Sequence, residues 1–160
     1  MHSGLAYGVA SDVASALQAM KRGGSAMGRD RAGTVPMIVF HGDVDQTVAH
    51  VNAACLVDAR LRSAGAAAAQ YVKGTHPGQA PGGRRYTRDV YTDGDRGSVI
   101  EQWTIHGGAH AWAGGSARGS YTDPLGPDAS AELVRFFLQH ENHSVPRRPR
   151  RRPSTPLELR

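Results

Sequence analysis

A continuous apolar run, Val35-Pro36-Met37-Ile38-Val39-Phe40, ends abruptly in His41-Gly42-Asp43-Val44-Asp45-Gln46-Thr47-Val48. A strand with one wet face alternates apolar and polar residues, whereas unbroken apolarity requires cover on both faces, as for a parallel strand inside an α/β sheet. A chain holding such a strand needs helices on either side of it. The flanking sequence supplies them.

Upstream, Ser11-Asp12-Val13-Ala14-Ser15-Ala16-Leu17-Gln18-Ala19-Met20 places apolar groups at helical spacing, with Ser11 or Asp12 as the cap and Lys21, Arg22, Gly23 and Gly24 as the stop. Downstream, about Val51 to Ser63 predicts a second helix whose stripe is Val51, Ala54, Cys55, Val57 and Leu61, ended by Gly65. Polar, glycine-rich residues 73–85 predict a long connection. Arg85–Tyr91 and Ser98–His106 are rich in β-formers and flank the turn signal Thr92-Asp93-Gly94-Asp95, so they predict a hairpin. A glycine-rich loop follows, and Ala131–His140 predicts a last helix capped by Asp128 or Ser130, with Leu133, Val134, Phe136 and Phe137 on its apolar face. The expected fold class is therefore α/β. Ligands of such sheets bind beyond the carboxyl ends of the strands.

At 160 residues, 39% hydrophobic and 21% charged, the chain has the balance of one globular domain. No apolar stretch is long enough to cross a bilayer, and no secretory leader pattern opens the sequence. The formal charge of +5 arises entirely in the tail, because residues 1–144 carry 13 Lys and Arg against 13 Asp and Glu. Residues 145–160 hold Arg147, Arg148, Arg150, Arg151, Arg152 and Arg160, interrupted by four prolines. Proline at that density and like-charge repulsion predict an extended, disordered tail. It reads as a solvated extension rather than a nucleic-acid arm. The single cysteine, Cys55, has no internal disulfide partner and reads as a small buried apolar residue, since nothing local would lower its pKa.

Two polar loops carry the chemistry. Asp45 follows the buried strand in an H-G-x-x-D-x-x-V arrangement, with Asp43 as the rival acid and turn formation as the structural alternative for both. His110 stands in Gly107-Gly108-Ala109-His110-Ala111-Trp112 after the second extended run, with His106 as its rival. A carboxylate that orients an imidazole, and an imidazole that takes a proton from a hydroxyl, make up two thirds of a hydrolytic triad. The third part, a serine in G-x-S-x-G, occurs nowhere in the chain. Ser3 precedes a glycine but lacks the glycine two positions upstream that such an elbow needs. Trp112 suits either the wall of an acyl or aromatic pocket or packing against the last helix. His106 and His110 are followed by no third metal ligand at a recognisable spacing, so neither a metal nor a cofactor is expected.

Three stretches, HSGLAYGVASDVASALQAM, VPMIVFHGDVDQTV and WTIHGGAHAWAGGSARGSYTDPLGPDASAELVRFFLQH, together resemble the polyhydroxybutyrate depolymerase-like and feruloyl esterases of the α/β-hydrolase fold. The resemblance spans His2 to His140 and leaves out the Arg/Pro tail. It implies an extracellular carboxylic ester hydrolase acting on a polyester or on acyl or feruloyl esters, with Asp45 as the acid and His110 as the base. It also implies that the nucleophile and the second oxyanion donor would precede His2. Residues 1–144 are then expected to be the C-terminal part of a hydrolase domain, truncated or made as a separate subunit. Such a piece would be nearly inactive alone and would associate with a separate N-terminal half.

Overall fold

In the computed structural model, which describes residues 2–24, 35–94 and 97–140, the buried run forms the strand β1 (Met37–Gly42), with every residue from Ile38 to Gly42 buried. Its two faces enter different cores. Ile38 and Phe40 pack with Trp103, Ile105, Ala129 and Phe136, while Val39 packs with Ala6, Ala53 and Leu56. The cover on both faces demanded by the unbroken apolarity is present.

The helices that provide this cover are α2 (Val51–Ala64) and α3 (Ala129–Leu138), and α1 (Val13–Arg22) packs against α2. The cap expected at Ser11 or Asp12 is Asp12, whose carboxylate accepts from the Ser15 backbone while the Ser15 hydroxyl returns to the Asp12 backbone. Asp128 caps α3 through the Ala131 N–H, so that helix starts two residues before the expected position. A 3-10 segment, Gly65–Gln70, continues from α2. Cys55, expected to be buried, is only half-buried.

The main sheet is mixed, in the order β1-β4-β3-β2. Strands β3 (Arg85–Asp93) and β4 (Gly97–Ile105) form the expected antiparallel hairpin, and β1 runs parallel to β4 in a register that matches Gly42 with Ile105. Strand β2 (Val72–Gln79) corrects the expectation of a long loop over 73–85. Its glycines and Pro77 read as breakers, yet it is an edge strand paired only with β3, where a missing N–H can face away from the ladder. Short strands β5 (Trp112–Ala113) and β6 (Thr122–Asp123) pair in parallel beside the main sheet. The Arg/Pro tail, with its expected disorder, and residues 25–34 and 95–96 lie outside the described residues.

Helix α3 is fixed to the sheet by both apolar and charged contacts. Phe136 is fully buried, and Arg135 donates to the buried carboxylate of Glu101 at 2.6 Å, which also accepts from Trp103 Nε1 at 3.1 Å. A buried carboxylate is tolerable when its oxygens are matched in this way. Phe136→Ala is expected to lower the unfolding free energy by about 3–5 kcal/mol, whereas Phe137→Ala, on the exposed flank of the same helix, should cost less than about 1 kcal/mol; urea denaturation of both variants checks the assignment.

Candidate active site

Because β1 and β4 run parallel, the loops that follow them emerge at the same end of the sheet. The ladder continues past the strands, with Asp43 N–H donating to Ile105 O and Val44 N–H to Gly108 O, both at 3.1 Å. The contact is close enough that a Cβ on Gly42 would lie 2.1 Å from the Gly108 carbonyl oxygen. Glycine at that position is required by the approach of the second loop.

The two candidate acids and two candidate bases sort into two pairs. Asp45 Oδ2 accepts from His110 Nδ1 at 2.8 Å, across a sequence separation of 65. Asp43 Oδ2 accepts from His106 Nδ1 at 2.9 Å, and its other oxygen from Gly107 N–H at 2.7 Å. The pairs differ in what lies beyond the imidazole. His106 Nε2 is engaged by the Thr87 hydroxyl at 2.9 Å, which closes that pair into a tie between the loop and β3. Since a carboxylate only accepts, His110 uses Nδ1–H on Asp45 and keeps Nε2 for the cavity it lines.

The Asp45 carboxylate is buried and held by the backbone. Its Oδ1 accepts from the N–H groups of Thr47 (2.9 Å) and Val48 (2.8 Å), which is the turn-forming alternative realised by the same residue. His41 Nε2 donates to Val48 O at 2.8 Å and stands 3.4 Å from Asp45 Oδ2, bracing the turn from beneath. Burial acts to raise the Asp45 pKa, but donation from Val48, His110, the Ser3 hydroxyl and Thr47 outweighs it and holds the carboxyl below its ordinary value. Asp43 is likewise held low, against its own burial, by His106 and the Gly107 N–H.

The cavity, of about 560 Å³, is lined by His2, Ser3, Thr47, His110, Ala111, Trp112 and Tyr121, a size in the range of small-ligand sites. Trp112 faces two ways. It lines the cavity, and its Nε1 donates to Ser130 Oγ on α3 at 3.2 Å. Its ring also stacks on His2, whose other neighbour is Phe40, with centroid separations of 5.4 and 6.0 Å. Ser3 lines the same cavity, and its Oγ stands 3.2 Å from His2 Nδ1.

Sequence spacing does not single out His2, Thr47 or Tyr121 as site residues. Thr47 falls inside the H-G-x-x-D-x-x-V stretch, a signal that is readable. His2 has none, because its position depends on an isolated parallel bridge to Phe40. Among the described residues, no group of three or more His, Cys, Asp or Glu is arranged to hold a metal, and no helix is long and apolar enough to cross a membrane. Compared with protein-family models and with curated proteins, the sequence matches none.

His2 Nε2 accepts from the Ala113 N–H at 2.9 Å, and burial, with the field of His41 next, lowers the His2 pKa from 6.5 to about 4. Between those values the unfolded chain binds a proton that the folded chain does not, so stability falls as pH drops from about 6.5 to 4. A further loss sets in below 3.8 as Asp45 and Asp43 protonate. Denaturation midpoints recorded from pH 7.5 to 3 should show both stages, and His2→Gln should shrink the first, to which the burial of His50 also contributes, while leaving the second.

Proposed function

We propose that this chain supplies the acid and base of a serine-type carboxylic ester hydrolase of the α/β-hydrolase fold. The observation that carries the reading is the 2.8 Å contact between the buried Asp45 carboxylate and His110 Nδ1, with His110 at the wall of an open cavity. In this reading Asp45 fixes the ring so that Nε2 accepts a proton from a serine hydroxyl as it attacks the ester carbonyl. The same proton passes to the departing alcohol oxygen, leaving an acyl-serine. His110 then deprotonates water for the second attack, and the acid is released. The exposed ring of Tyr121 and the half-buried ring of Trp112 suit an acyl or aromatic substituent of a polyester or a feruloyl-type ester.

The nucleophile belongs to a G-x-S-x-G elbow, and this sequence contains none. A second observation bears on its source. Among the described residues, β1 pairs with β4 along one edge, while its other edge is met only by His2 and the Ser3 N–H on Phe40 O. An open edge on a strand this buried favours a partner strand. We therefore read the chain as the part of an esterase that joins an elbow-bearing segment, with an extracellular setting in keeping with the family resemblance.

Hydrolysis of p-nitrophenyl acetate tests the reading. The 160-residue chain alone is expected to stay near background, and a mixture with an elbow-bearing N-terminal half to turn over substrate. Asp45→Asn or His110→Ala should then lower kcat by on the order of 10³–10⁴-fold. Turnover that survives His110→Ala, or a stable mixture with no turnover, would contradict it.

A further inference from the structure

Successive residues of the loop after β1 hold successive points of the loop after β4. Asp43 accepts from His106 Nδ1 at 2.9 Å on one oxygen and from the Gly107 N–H at 2.7 Å on the other. The Val44 N–H donates to Gly108 O at 3.1 Å, and Asp45 accepts from His110 Nδ1 at 2.8 Å. These rungs follow one another away from the strand ends, and only the last belongs to the reacting pair.

The first rung has an anchor outside both loops. Since a carboxylate only accepts, the His106 proton sits on Nδ1, and Nε2 accepts from the Thr87 hydroxyl at 2.9 Å. Thr87 is paired in register with Thr104 of β4, and Thr104 with His41 of β1. Every member of this row reaches a segment beyond the strands: Thr87 meets His106, Thr104 meets His50 Nε2 at 3.1 Å, and His41 meets Val48 O at 2.8 Å. His41 thereby braces the turn that carries Asp45. Thr87, through His106, braces the loop that carries His110.

That second loop has little stiffness of its own. Gly107 and Gly108 stand before His110, and Gly107 is left-handed at φ +71°. An unheld run of this kind samples many conformers, and each one that swings the imidazole away dilutes its meeting with the acid. The bond from the Gly107 N–H to a charged oxygen fixes the chain just before the imidazole.

We propose that Asp43, His106 and Thr87 are positioning residues for the base: they hold the loop at Gly107 so that His110 Nδ1 meets Asp45. This deepens the hydrolytic reading of the same site and rests on it. The cavity wall includes His110 and none of these three, so they act through His110.

Solvent exchange of the His110 Nδ1 proton, followed by NMR in the full chain beside the backbone amides of β1, tests the proposal. Asp43→Ala removes both bonds of the first rung and should quicken that exchange by about tenfold, while the β1 amides keep their protection. Thr87→Val matches the threonine in shape and suits a strand; it removes only the outer anchor and should quicken the exchange by about threefold. Asp43→Asn keeps an oxygen for the Gly107 N–H, and its amide can donate to Nδ1 of a His106 ring protonated on Nε2, so it should restore most of the protection. A purely structural role would loosen the ring proton and the amides together. That result, or an unchanged ring proton in either Asp43→Ala or Thr87→Val, overturns the proposal, and Thr87→Val decides alone should Asp43→Ala not fold. The parent chain separates the two readings: a His110 ring without a proton on Nδ1 there defeats the hydrolytic reading itself, whereas a proton present and indifferent to the variants defeats only the positioning role. In a reconstituted esterase, Asp43→Ala should lower kcat by about 10–100-fold with KM unchanged, and a change confined to KM would also overturn the positioning role.

Discussion

The hydrogen bond between Asp45 and His110 depends on a parallel register. Strands β1 and β4 are separated in sequence by α2, β2 and β3, yet they lie side by side and point the same way, so both following loops open at one end of the sheet. An antiparallel pairing of these two strands would send the acid and the imidazole to opposite ends. The register is specified by burial. Every residue of β1 after Met37 is buried, and a slip of one position would exchange Phe40 for Val39 between two differently shaped cores.

A buried carboxylate is a liability unless its oxygens are matched, and the 45–48 turn shows how that is achieved here. Two backbone N–H groups reach one oxygen, and the side chains of His110 and His41 approach the other. The same bonds that make the group tolerable also aim it, since an oxygen bound by Thr47 and Val48 leaves its neighbour turned toward His110. Stability and orientation therefore share one set of contacts. The neighbouring Asp43–His106 pair uses the same chemistry to a different end: its second ring nitrogen is spent on Thr87, and it ties a loop to a strand.

Much of this is readable from the chain. Continuous apolarity at 35–40 implies two-sided cover, Asp12 and Asp128 stand at helix starts, and the turn signal at Thr92–Gly94 implies the β3–β4 hairpin. What is not readable depends on contacts distant in sequence. Strand β2 hides behind Gly74, Pro77 and Gly78 because an edge position tolerates residues that a central strand does not. Local spacing leaves Asp43 against Asp45, and His106 against His110, undecided. The difference between them is a hydroxyl on Thr87 in one case and a cavity in the other. His2 carries no signal, since its place follows from a bridge to Phe40, far along the chain.

The central claim is that Asp45 fixes the proton of His110 on Nδ1 and leaves Nε2 bare toward the cavity. Long-range proton–nitrogen correlation of the His110 ring, recorded at a pH where it carries a single proton, reads this without any substrate. The account predicts a protonated Nδ1 with a slowly exchanging, strongly deshielded proton, and an unprotonated Nε2, with the preference lost in Asp45→Asn. A ring protonated on Nε2, or the same tautomer mixture with and without the Asp45 carboxylate, would contradict it.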